Sequence, residues 1–156
     1  MFRNRGPVFL AVIAVILASC LSAVASPFSS GTDRAIDCVI DNGPCSKQLA
    51  DAGITATFAI TPTPVEEMRN LVFRVDMKAG GVPVTDGEVG LDLSMPGMAM
   101  ARNFIRLAHR GGGKYEGSGV IVKCPSGSGV WQAEVRIRRP SPRGQPHRVC
   151  FTFRVK

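Results

Sequence analysis

The sequence contains few of the side chains that most often carry catalysis or read nucleic-acid bases. It has two histidines, one tryptophan and one tyrosine in 156 residues. It also lacks the spacings typical of a hydrolase nucleophile, a zinc protease, a phosphate-binding loop or a thiol-redox pair. We therefore expect neither an enzyme nor a nucleic-acid-binding protein. The formal net charge of +7 does not by itself name a partner. A solvated basic face is the simplest interpretation, and contact with an anionic lipid or an acidic protein partner is the alternative.

The one long apolar run lies at the N-terminus, where residues 1–25 have the layout of a secretory signal. A basic start precedes an apolar run over residues 8–18, and small residues follow it. Residues 17–20 read Leu-Ala-Ser-Cys, which resembles the bacterial lipobox, in which the cysteine becomes the acylated first residue. We predict a signal segment over 1–19, a lipid anchor on Cys20 and an extracytoplasmic, membrane-anchored location. Ordinary cleavage after Ala-Val-Ala, ahead of Ser26, would instead release a soluble protein.

If Cys20 carries the lipid, an even number of cysteines remains, in an extracytoplasmic compartment where disulfides persist. Four cysteines allow three pairings among Cys38, Cys45, Cys124 and Cys150. Cys38 and Cys45 enclose a short Gly-Pro turn, so a local bridge between them is the simplest prediction. Residues 20–53 are expected to form a flexible tether, rich in Ser and Gly, followed by this cysteine-containing segment.

From residue 54 onward, apolar and polar residues alternate in seven short runs separated by turn residues. This alternation is typical of half-buried antiparallel strands, and the intervals leave no room for crossover helices. We predict an all-β, immunoglobulin-like sandwich of about seven strands over 54–156. The only predicted helix is a turn or two around Ser46–Asp51. The seven runs are 54–60, 71–78, 89–94, 105–108, 114–123, 131–138 and 149–155.

Three of the six methionines lie in one loop between two predicted strands, at Met95, Met98 and Met100. Thioether sulfur suits Cu(I) and has little hold on Zn²⁺, Ca²⁺ or Mg²⁺. The three methionines are therefore candidate Cu(I) ligands. The alternative is that the loop only packs, because methionine fills irregular gaps where loops cap a sandwich. Met95 also continues the every-second-residue pattern of inward-facing side chains in the preceding strand.

An up-and-down tracing of the strands separates the histidines from the methionine loop. His109 lies about six residues along the hairpin from the loop, roughly 20 Å at about 3.3 Å per residue, and His147 opens the last strand at the same far end. Cys124 and Met68 fall at the methionine end. Cys124 is therefore a candidate fourth soft ligand, with a structural or disulfide role as the alternative. The same tracing makes a Cys124–Cys150 bridge awkward.

Three motifs in order resemble those of the YtkA-like domain, which is related to FixH. They are the strand over 89–94 running into Met-Pro-Gly-Met, Gly-Lys-Tyr-Glu-Gly at 113–117 and Gly-Val-Trp at 129–131. The resemblance covers about residues 55–156. It implies an exported or membrane-tethered immunoglobulin-like sandwich associated with copper handling, in which Met95, Met98 and Met100 carry the loop motif. Histidine, present in many copper-handling loops of this kind, is missing here, which leaves Cu(I) or a structural loop.

Two functions follow as expectations. The first is an exported, membrane-anchored protein that binds Cu(I) through the methionine loop and exchanges the ion with another exported or membrane protein. The second is a metal-free envelope lipoprotein that docks onto a partner through an exposed apolar or basic surface, for which the arginine-rich segment 136–143 is a candidate.

Overall fold

The computed structural model describes residues 36–49, 51–125, 129–140 and 146–156. The predicted signal segment and Cys20 lie outside the described residues. Within these ranges the chain forms nine strands and one short 3-10 helix, so the predicted all-β class is confirmed. The helix is Ile40–Asn42, and the strands are β1 Cys45–Leu49, β2 Ile54–Thr61, β3 Asn70–Ala79, β4 Val82–Pro83, β5 Glu88–Ser94, β6 Asn103–His109, β7 Lys114–Val120, β8 Val130–Arg138 and β9 His147–Arg154. No helix among the described residues has the length and apolar character needed to cross a bilayer.

Alternation of apolar and polar residues is the reason that the seven predicted runs form strands. Along β2, for example, Ile54, Ala56, Phe58 and Ile60 are buried while the residues between them are only partly buried. The predicted helix at Ser46–Asp51 is wrong, because most of that segment belongs to β1 and pairs with β2. The strands β1 and β4 bring the number in the described residues from seven to nine.

The strands form two antiparallel layers. The first contains β1, β2, β3 and β7 in that order, with β4 added to β3, and the second contains β6, β5, β8 and β9. The end of β6 leaves the second layer, and its Ala108 and His109 pair with Glu116 and Tyr115 of β7. The two layers are therefore hydrogen-bonded along one side, which turns the sandwich part of the way toward a barrel. The strand order differs from a simple up-and-down order, in which each strand pairs with the one before it. Here β7 also pairs with β3, and β8 pairs with β5.

Aromatic side chains from both layers fill the space between the sheets. The Phe58 ring of the first layer lies 5.2 Å from that of Phe151 and 6.0 Å from that of Phe153, both in the second layer. Trp131 and Tyr115 are also fully buried. Aromatic pairs at such separations contribute about 0.5–1.5 kcal/mol beyond their area burial, so these rings fix how the layers meet.

The segment ahead of β1 is fastened to β9. Cys38 and Cys45 form a disulfide, which confirms the predicted local bridge. Asp37 and Cys38 both donate their backbone N–H groups to the Thr152 carbonyl at 3.0 Å, and the Asp37 carboxylate accepts the Thr152 N–H at 2.9 Å. Lys47 of β1 binds that same carboxylate and the Cys150 carbonyl. These contacts hold β1 beside β9 on the side of the sandwich opposite β6 and β7.

Candidate metal site at the methionine end

One end of the sandwich, called here the methionine end, gathers three connections and the chain terminus. They are the β2–β3 connection, the β5–β6 loop, the segment that follows β7, and residues 155–156 after β9. The strand register places them together. Leu93 pairs with Asn103 at the base of the β5–β6 loop, and Val130 at the start of β8 pairs with Arg154 at the end of β9.

Both histidines lie at the other end, as the strand tracing predicts. His109 pairs with Tyr115 where β6 meets β7, and its ring centroid lies 4.9 Å from that of Tyr115. His147 opens β9, and its Nδ1 lies 2.8 Å from a carboxylate oxygen of Asp51. The hydrogen bond with His147 lowers the pKa of Asp51. Neither imidazole is placed to bind an ion held by the methionine loop.

The methionine loop opens with a tight turn that its sequence dictates. The Met98 N–H donates to the Met95 carbonyl at 3.2 Å, which closes a four-residue β-turn. Pro96 supplies the fixed φ of the second position, and Gly97 takes φ 79° at the third, the arrangement of a type II turn. A turn of this kind brings its first and last Cα atoms within about 7 Å, so Met95 and Met98 begin close together.

Cys124 meets the loop from the neighbouring connection. Its Sγ lies 3.3 Å from the Sδ of Met98, which confirms that Cys124 falls at the methionine end. The Met68 N–H donates to the carbonyl of Ile121, the first residue after β7, at 2.8 Å. The Asn103 side-chain amide donates to the carbonyl of Val120, the last residue of β7, at 3.3 Å. The strand tracing located Cys124 at this end, but strand directions do not fix a loop conformation, so the contact with Met98 was not predicted.

The sulfur-bearing residues extend from the core to the surface. Met95 is 4% exposed and belongs to the core, in agreement with its inward parity. Met98, Met100 and Cys124 are half-buried and pack against that core. Met68 is 66% exposed. The loop therefore packs against the core and also presents sulfur near the surface.

The Cys124 thiol donates a hydrogen bond to the Met98 thioether, with the two sulfur atoms 3.3 Å apart. Metal–sulfur bonds of about 2.3 Å at a tetrahedral angle place two sulfurs on one ion about 3.8 Å apart. The pair therefore needs to separate by about half an ångström to share an ion. Within the described residues, no group of three His, Cys, Asp or Glu side chains is arranged to hold a metal.

Cys150 lies in the middle of β9, opposite Glu134 of β8. Cys124, by contrast, lies beyond the end of β7 against Met98. The two cysteines thus occupy different levels of the sandwich, as the strand tracing predicts.

The chain matches no protein-family model, no curated protein and no solved structure. The resemblance to the YtkA-like domain remains a prediction that rests on the three sequence motifs. Two of those motifs supply core residues here, because Tyr115 and Trp131 are fully buried. The third opens the methionine loop.

Proposed function

We propose that the protein is an exported, membrane-anchored β-sandwich that binds Cu(I) at the methionine end and exchanges it with another exported or membrane protein. The observation that carries this proposal is the 3.3 Å contact between Met98 Sδ and Cys124 Sγ. Thiolate and thioether sulfur are the ligands that favour Cu(I). A methionine loop alone offers only neutral sulfur, whereas Cys124 adds a group that becomes an anionic ligand.

In this proposal Cys124 and Met98 form the primary pair, and Met100 lies two residues further along the same loop. Met95 is buried and anchors the loop against the core. Because the thiol of Cys124 must lose its proton when it binds a metal, Cu(I) affinity is expected to rise with pH. Partial exposure of the loop leaves the ion accessible to a partner protein.

Export and anchoring are supported by the signal layout of residues 1–25 and the lipobox-like residues 17–20. The Cys38–Cys45 disulfide suits a compartment outside the reducing cytosol. An acylated Cys20 would hold the domain at the membrane, where dissociated Cu(I) would meet membrane-bound partners.

The competing function is a metal-free envelope protein whose methionine loop only packs. The burial of Met95 and the packing of Met98 and Met100 against the core favour this alternative. It predicts no preference for Cu(I) and no special role for Cys124.

A Cu(I) competition titration separates the two functions. The protein is purified in detergent, handled without oxygen under a reductant that leaves the Cys38–Cys45 disulfide intact, and its intact mass reports acylation of Cys20. We expect binding of one Cu(I) per chain, weakened at least tenfold in Met98→Leu and in Cys124→Ser. The matched control is Met77→Leu, since Met77 is a fully buried methionine of β3 next to Gly113, at the histidine end.

Equal affinity in the parent, Met98→Leu and Cys124→Ser proteins would contradict the proposed site. Weak binding by the parent itself would favour the packing interpretation.

A further inference from the structure

The outer face of the second layer contains a pocket of about 440 Å³. This volume falls within the range of small-molecule sites, about 300–1,000 Å³. The pocket is lined by strands β5, β6, β8 and β9 and by Gly87, Arg102 and Pro146 next to them. Its lining does not include the methionines of the β5–β6 loop or Cys124. Its most unusual property is its charge, since its lining includes five arginines: Arg102, Arg106, Arg136, Arg138 and Arg148.

The strand register aligns three of these arginines in one row. Arg106 of β6, Gly90 of β5, Arg136 of β8 and Arg148 of β9 lie directly opposite one another. Neighbouring strands are about 4.8 Å apart, and like charges directly opposite each other destabilise a sheet. Only Arg136 and Arg148 are direct neighbours in this row, since Gly90 separates Arg106 from Arg136. The row therefore gathers positive charge on one face of the layer.

Gly90 leaves a gap in the middle of this row. The Phe104 ring lies over that gap so closely that a Cβ atom at position 90 would be 2.2 Å from the ring. The guanidinium carbon of Arg102 lies 4.7 Å from the centre of the same ring. Glycine thus lets the Phe104 ring lie against the backbone of β5, with the Arg102 guanidinium over the ring.

Carboxylates neutralise only part of the charge. Asp92 binds Arg136 at 2.8 Å and lies 3.6 Å from Arg102, and Glu134 binds Arg136 and lies 3.7 Å from Arg148.

The other two arginines of the pocket are not neutralised in this way. Arg106 and Arg138 form no ion pair with any described residue, although Glu88 is the strand neighbour of Arg138. Five arginines against Glu88, Asp92 and Glu134 leave a net charge of +2.

We propose that this pocket binds a phosphomonoester, the phosphate group of a small soluble molecule. A phosphomonoester carries a charge close to −2 at neutral pH, which matches the excess in the pocket. Guanidinium groups bind phosphate oxygens through paired, charge-assisted hydrogen bonds. Phe104 offers an apolar surface to the organic part of such a ligand. The proposal is independent of copper binding.

Phenyl phosphate is a suitable probe, titrated into the full-length protein and followed by backbone amide NMR. We expect saturable shifts centred on Gly90, and a dissociation constant raised at least tenfold by Arg106→Gln or Arg138→Gln. The matched control is Arg74→Gln, which removes the same charge from an exposed position of β3 in the other layer and should leave affinity unchanged. Higher salt should weaken binding, because it screens these exposed charges.

Two comparison ligands test the charge argument. Methyl phenyl phosphate keeps the ring but carries one negative charge, and dihexanoyl phosphatidylglycerol, used below its micelle concentration, supplies a lipid headgroup with one negative charge. Both should bind at least tenfold more weakly than phenyl phosphate. The proposal is overturned if phenyl phosphate gives no saturable shifts, if Arg106→Gln and Arg74→Gln behave alike, or if the lipid binds as tightly as the monoester. Thermal unfolding of Arg106→Gln should show no loss of stability, which separates a binding defect from misfolding.

Discussion

The Cys38–Cys45 disulfide offers the sharpest test of how the N-terminal segment contributes to stability. The perturbation is the double change Cys38→Ala and Cys45→Ala, which removes the bridge and leaves β1 intact. The bridged positions are 7 residues apart, and a loop of this size restricts the unfolded chain by about 2.4 kcal/mol. Cys38 is 1% exposed, so lost packing adds about 1 kcal/mol. We expect the free energy of unfolding to fall by about 3 kcal/mol, a large share of the 5–15 kcal/mol typical of domains.

Urea denaturation followed by tryptophan fluorescence measures this change, since Trp131 is the one tryptophan and is fully buried. The parent protein in reductant should lose the loop contribution alone, about 2.4 kcal/mol, and reductant should not affect the variant. The slope of unfolding free energy against urea should rise, because an unbridged unfolded chain exposes more surface. A loss below about 1 kcal/mol would refute the loop-entropy estimate. A variant that still responds to reductant would show that another cysteine pair carries the effect.

Two further predictions concern polar contacts at the histidine end. The buried Tyr115 hydroxyl donates to the Val84 carbonyl at 3.0 Å and accepts the Gly87 N–H at 3.2 Å, so Tyr115→Phe should lower the free energy of unfolding by about 2 kcal/mol; an unchanged urea midpoint would contradict this. Two hydrogen bonds of 2.9 Å from Arg139 hold the pKa of Asp86 below its usual value. The stability that this pair contributes is therefore complete above the ordinary aspartate pKa, about 3.9. It is lost as the pH falls through the lower pKa that Asp86 has in the folded protein. Carboxyl NMR titration should show the low pKa in the parent and its return toward normal in Arg139→Gln, whereas equal values would disprove the assigned cause.

The strands that sequence could predict are those in which burial alternates along the chain. The core strands β2, β3 and β8 show it clearly, with every second residue buried. β1 could not be predicted in this way, because only Leu49 of its five residues is fully buried. Its extended conformation comes from pairing with β2 and from the contacts of Lys47, which are tertiary rather than local. The two-residue β4 is too short to carry any periodicity.

The two candidate sites also differ in how far the sequence could predict them. Cys124 could be placed beside the methionine loop, because the direction of each strand decides which loops share an end. The arginine pocket could not be predicted, since Arg106, Arg136 and Arg148 are far apart in sequence and align only through the register of four strands. Alternation marks Arg136 and Arg138 as outward-facing but says nothing about their neighbours.

The attachment of the N-terminal segment to β9 bears on self-association. β9 pairs with β8 on one side, and an uncovered strand edge is a template for pairing with another chain. Asp37 and Cys38 occupy the Thr152 carbonyl and N–H on the other side, and Lys47 occupies the Cys150 carbonyl. The short disulfide-closed segment therefore also protects the sheet against edge-to-edge aggregation. Resistance to aggregation then depends on the same few residues that fasten residues 37–38 to β9.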